Sequence, residues 1–172
     1  MLAARDKAIV SVLLDTGVRA NELCTLTLGR TNFSLTDAHI IVLGKGRKQR
    51  EVGLGNKSRL ALHRYIYQFR PRVESEAVFL TRHSTPLHPD GLAQMLIKLR
   101  NRSSLSFHIH PHKFRHTFAY MYMREGAGDV LRLSRLLGHS SVLVTENYLK
   151  VFDSRDARDS ASVLDTLTMR RR

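Results

Sequence analysis

Four short segments, far apart along a chain of 172 residues, carry side chains suited to handling a phosphate diester. The first, Thr16-Gly17-Val18-Arg19-Ala20-Asn21-Glu22-Leu23, sets an arginine at a glycine turn that opens a helix. A guanidinium there can fork paired N–H donors onto one anion, or simply pair with Glu22. The second, Gly44-Lys45-Gly46, holds a lysine between glycines, either free to swing or merely exposed on a turn. The third, His112-Lys113-Phe114-Arg115-His116, puts His112 and Arg115 at i and i+3 of a helix, where both can address one anion. The fourth is Leu137-Gly138-His139, with Tyr148 nine residues further on. Taken singly, each has an ordinary reading: a helical tyrosine packs, and a glycine-histidine pair ends a helix.

Taken together, they resemble a family. The order Thr-Gly-Val-Arg-x-x-Glu-Leu, Gly-Lys-Gly, His-x-x-Arg-His-Thr-Phe-Ala, Leu-Gly-His and a late tyrosine is similar to the catalytic domain of the tyrosine recombinases, the phage-integrase family, from about residue 4 to residue 152. The resemblance implies that Arg19 and Arg115 bind phosphate, that Lys45 is the hairpin lysine, that His112 and His139 are the active-site histidines and that Tyr148 is the nucleophile. Glu22 and His116 would support them, and Arg47, Lys48, Arg50 and Lys113 would contact DNA. Phe114 stands where leucine is commoner, a packing change only.

The chemistry of those residue types agrees. A DNA diester resists attack because a nucleophile meets an anion and a poor alkoxide must leave. Two arginines can stabilise charge on the non-bridging oxygens. A tyrosine phenol, with an ordinary pKa near 10, needs cations nearby and a base such as histidine to become nucleophilic. Its attack forms a phosphotyrosine, and the freed hydroxyl takes a proton that Lys45 can supply. That bond keeps the energy of the diester, so religation needs no ATP. No Walker-type loop or carboxylate cluster for Mg²⁺ is legible, and no cofactor is expected. The rival reading is zinc: His108, His110, His112 and His116 cluster, with His112 and His116 at i, i+4. No glutamate lies between them as in His-Glu-x-x-His, and Cys24 is remote, so no metal is expected.

These residues need a scaffold. Ile9, Val12 and Leu13 share one face of a helix over 4–15, Gly17 breaks it, and a second helix runs over 20–28. Residues 38–43 and 49–54 read as two strands of a hairpin whose basic, glycine-flanked tip carries Lys45. Asn56 is a candidate cap for a helix to residue 69, before Pro71, and residues 77–81 read as a short strand. Leu92, Met95, Leu96 and Leu99 stripe a helix over 89–101; further helices are expected over 112–124, 129–137, 142–151 and 156–168. Tyr65 and Tyr67 read as core residues rather than base-stacking platforms. The expected fold is α+β, mostly helical with a small antiparallel β-sheet or hairpin.

Composition sets the remaining bounds. Hydrophobic residues at 42% and charged residues at 25% are ordinary globular values and exclude a disordered or fibrous chain. A single cysteine excludes an internal disulfide framework and fits a reducing compartment. The run Ala8 to Leu14 is far too short to span a membrane, and no signal peptide is legible. The formal charge of +13 concentrates in residues 44–72, with nine basic groups against Glu51, and 98–135, with eight against Glu125 and Asp129. Two one-signed blocks point to nucleic acid, which the resemblance implies is double-stranded DNA. The resemblance further implies a catalytic domain over 1–152 and a C-terminal segment, 153–172, passed to a neighbour through Val163, Leu164 and Leu167. It implies a homo-tetramer on DNA, a monomer when free, and cytoplasmic work without membrane contact. The helical N-terminal core-binding domain that completes a clamp on DNA is expected to be absent. The alternatives are a non-catalytic DNA-binding remnant and a type IB topoisomerase-like relaxing activity.

Overall fold

Helix α1, Leu2–Thr16, forms the centre of the fold because one of its faces is largely apolar and buried, with Arg5 and Thr16 at its ends. Ala8, Ile9, Val12 and Leu13 are fully buried, and Thr16 closes the helix by donating its hydroxyl to the Val12 carbonyl at 2.6 Å. The computed structural model describes residues 1–44, 46, 48–103, 107–124, 129–139, 141, 143 and 145. Helix α2, Ala20–Cys24, follows, and a separate 3₁₀ turn, Leu28–Arg30, comes after extended Thr27, so the helix expected over 20–28 ends at Cys24. Strands β1, Thr31–Asn32, β2, His39–Leu43, and β3, Gln49–Gly53, make an antiparallel sheet in the order β1-β2-β3. The hairpin is as expected, with Val42 opposite Arg50, and β1 is an added edge too short to leave a pattern. Ile40, Val42 and Val52 point inward, giving the alternation of a one-sided sheet.

Helix α3, Asn56–Arg64, runs on into a π-helical turn, Tyr65–Phe69. Its cap is Gly55 rather than Asn56: the Asp15 carboxylate of α1 accepts from the Gly55 N–H at 2.6 Å and from the Ser58 hydroxyl. Helix α4, Pro89–Arg102, buries Leu92, Met95 and Leu96; helix α5, Pro111–Arg124, and helix α6, Val130–Leu137, complete the described order. Asp129 caps α6, accepting from the Arg132 N–H at 2.6 Å. One large core joins α1–α4, the sheet and Phe114 of α5, and a small one gathers Ala119, Leu133 and Leu137 between α5 and α6.

Two further expectations are corrected. Residues 77–81 form no strand, only isolated bridges of Thr27 with Ala77 and of Leu80 with Pro86. Val78, Phe79 and Leu80 are nevertheless fully buried, and Arg70 serves their backbone, donating to the carbonyls of Ala77 and Val78. Tyr65 is a core residue stacked on Phe79, but Tyr67 is 65% exposed beside His63. The helices expected over 142–151 and 156–168 lie outside the described residues. No described helix is long and apolar enough to cross a membrane.

Candidate active site

Two glycine turns bring together the described parts of the first, third and fourth segments. Gly17 ends α1 at φ +61°, and a Cβ there would lie 2.5 Å from Phe118 of α5, so both conformation and space require glycine. Gly138 ends α6 at φ +65°, and a Cβ there would meet the Arg50 guanidinium at 2.9 Å. Arg115, 2% exposed, joins the two turns: it donates to the Gly17 carbonyl at 2.8 Å and the Leu137 carbonyl at 2.7 Å.

Beside Gly17, Arg19 opens α2. Glu22, one turn on, reaches back to the Arg19 N–H at 2.8 Å, half of a capping box, and its other oxygen accepts from the Arg19 side chain at 3.0 Å. Arg19 also donates to the Gly138 carbonyl at 3.1 Å, yet its side chain stays 38% exposed. A cleft of about 410 Å³ is lined by Arg19, Asn21, Asp90, His110, His112 and Arg115, among others. Arg19, His112 and Arg115, expected from sequence to act together, therefore share one wall. His110, read from sequence only as part of a histidine run, lines the same cleft.

Arg115 and Thr145 both contact the His139 ring. The Arg115 guanidinium lies 2.8 Å from its Nε2 and the Thr145 hydroxyl 2.7 Å from its Nδ1. A guanidinium only donates, so Nε2 accepts, the proton sits on Nδ1, and Thr145 receives it. Burial, reinforced by the charges of Arg115, Arg19 and Arg50, pushes the His139 pKa down to about 4, so the ring is neutral near pH 7. Fully buried Thr145 is a residue the sequence reading missed. Its only signal is a hydroxyl three residues before the tyrosine. His116 is also held below its ordinary value, by burial and then by His112, His110 and Arg115. Cys24 is buried and its thiol is raised to about 11, which removes it as a nucleophile at neutral pH.

The expected DNA contacts divide. Lys48 is exposed on the hairpin. Lys113 faces away from the cleft, its ammonium 4.5 Å from the centre of the Phe107 ring in a pocket with Val10 and Leu14. Arg50 turns inward: it forks onto both Glu22 oxygens at 2.7 and 2.8 Å and donates Nε to the Leu136 carbonyl at 2.9 Å. Burial raises the Glu22 carboxyl, but the Arg50 fork, the Arg19 N–H and the two guanidinium charges outweigh it, and it titrates below its ordinary range. Lys45, Arg47 and Tyr148 lie outside the described residues. Among the described residues, no three histidine, cysteine or acidic side chains come together as metal ligands.

The model of the phage integrase family matches residues 1–155. Tyrosine recombinase XerC of Oceanobacillus iheyensis is 37% identical over 156 residues, covering 87% of this chain and 50% of its own. A tyrosine recombinase of Agathobacter rectalis is 38% identical over 155 residues, covering 89% and 50%. The chain thus spans about half the length of the curated relatives it matches. The crystal structure of XerA recombinase superposes with a TM-score of 0.77 at 30% identity, over 89% of this chain and 58% of that one. A post-cleavage complex of XerH recombinase with palindromic difH substrate shares the fold, with a TM-score of 0.76 at 23% identity over 95% and 47%.

Proposed function

The chain belongs to the phage integrase family, and from that premise we propose that it is the strand-transfer domain of a site-specific DNA recombinase. Tyr148 attacks the scissile phosphate and the 5′ oxygen leaves, giving a 3′-phosphotyrosine and a free 5′ hydroxyl. The reverse attack by another strand's hydroxyl religates DNA without ATP. Arg19 and Arg115 stabilise charge on the non-bridging oxygens, and Lys45 protonates the departing oxygen. His112 faces the same phosphate, and neutral His139 orients Arg115 through Nε2. The observation carrying this reading is the convergence of Arg19, His112 and Arg115 on one cleft, with His139 bonded to Arg115.

The partner is double-stranded DNA, as the XerH complex has its difH substrate. The protein is a monomer when free and assembles on DNA as a tetramer, residues 153–172 passing to a neighbour, and it works in the cytoplasm. A nicked suicide duplex, in which the cleaved fragment diffuses away, tests the chemistry. On a denaturing gel the chain should trap a covalent DNA adduct, and Tyr148→Phe should abolish it with duplex binding nearly unchanged. A DNA-binding remnant gives binding without adduct. An adduct that survives the substitution moves the nucleophile to another tyrosine.

A further inference from the structure

Arg50 belongs to the basic hairpin, where a phosphate contact is the obvious role, yet three of its donors are committed inside the protein. Its partner Glu22 is 3% exposed and lies between two guanidinium groups, Arg50 and the cleft arginine Arg19. The fork from Arg50 is the shorter and better-buried pair: its side chain is 14% exposed, against 38% for Arg19. Together the three groups carry one net positive charge, and Arg19 is the member open to the cleft. Without Arg50, the buried carboxylate would have Arg19 as its remaining ion-pair partner among the described residues, and the positive charge presented to the cleft would be cancelled.

We infer that Arg50 is a positioning residue: by occupying the Glu22 carboxylate and the Leu136 carbonyl, it leaves the Arg19 guanidinium available to the scissile phosphate. The inference rests on the strand-transfer reading and deepens it. Lysine could not substitute, because one ammonium cannot fork onto both Glu22 oxygens while reaching the end of α6.

A double-mutant cycle tests it, with Arg50→Gln, Glu22→Gln and the double variant compared by single-turnover cleavage of the nicked duplex at saturating DNA. In Glu22→Gln the amide oxygen still accepts from the Arg19 N–H, but the neutral side chain no longer draws in the Arg19 guanidinium. With Glu22 present, Arg50→Gln should slow the first-order rate about 10²–10³-fold, the usual cost of losing one donor to a developing charge. In the Glu22→Gln background, the same substitution should cost no more than about five-fold. Simple destabilisation would instead lower the adduct amplitude and leave the rate of the active fraction unchanged, which overturns the inference. Equal losses in both backgrounds overturn it as well. If Arg50→Gln alone does not fold, the double variant, free of the buried charge, carries the test: a rate far below that of Glu22→Gln refutes it. Should the parent chain form no adduct, the strand-transfer reading fails separately. The same cycle is then read in duplex affinity, where Arg50→Gln must weaken binding when Glu22 is present and not in the Glu22→Gln background.

Discussion

At the scale of single residues, His139, expected among the active-site histidines, has its protonation set by its neighbours. Its role is fixed by what its neighbours can and cannot do: Arg115 must donate, so the ring must accept at Nε2 and carry its proton on Nδ1. A neutral ring with a depressed pKa links acid to unfolding. The unfolded chain takes up a proton at His139 near pH 6.5, whereas the folded chain resists until about 4. Stability from this group is therefore complete above pH 6.5 and is lost as the pH falls towards 4. His116, depressed in the same direction, adds to the same slope. We predict a melting temperature that falls between pH 6.5 and 4, less steeply in His139→Gln. The ring's nitrogen NMR shifts should report the Nδ1–H tautomer. Thr145→Val should leave that tautomer in place, because Arg115 still donates to Nε2, while the Nδ1 proton loses its acceptor. A wild-type His139 that titrates at its ordinary value would remove the argument.

At the scale of elements, what was legible followed periodicity, and what was hidden followed tertiary contact. The stripe on α1 and the alternation in β2 and β3 announce themselves because one face of each is buried. The shared helical face of His112 and Arg115 was likewise legible, and it is the face on the cleft. Residues 77–81 misled for a physical reason. Val78, Phe79 and Leu80 have the composition of a strand, but instead of a ladder the carbonyls of Ala77 and Val78 accept from Arg70, that of Phe79 from the Leu87 N–H and that of Leu80 from Arg5. Arg50 was misplaced similarly, since a strand position opposite Val42 says nothing about the carboxylate that α2 delivers beneath it. Arg70 also donates to the carbonyls of Pro71 and Ser75, which makes it the staple of the segment after α3. Arg70→Ala should therefore cost about 2–3 kcal/mol, a fall of about 4–12 °C in melting temperature, by stranding several carbonyls at once. Calorimetry checks this, and a change within about 0.5 kcal/mol, the ordinary surface value, would show the staple to be dispensable.

At the scale of the whole molecule, charge density along the sequence overstates the charge offered to DNA. Of the nine basic groups in residues 44–72, Arg50 and Arg70 are spent on carboxylate and carbonyl groups inside the protein, and in the second block Arg115 is buried. Exposed Lys48 on the hairpin is the contrasting kind, a cation whose free energy is best lowered by a phosphate. Duplex binding releases condensed counterions in proportion to the phosphates neutralised, with a slope of about −0.9 per contact in log affinity against log salt. With +13 formal charges, several of them internal, we predict a linear plot with a slope of about −4 or steeper. The two classes of cation should then separate in that plot. Lys48→Ala should shallow the slope by about one and weaken every duplex alike, since a phosphate contact carries no sequence information. Arg70→Ala, whatever it does to stability, should leave the slope unchanged at temperatures where the protein stays folded. Equal shallowing by both substitutions would mean that Arg70 reaches DNA, and a flat plot would mean that the basic blocks do not face it at all.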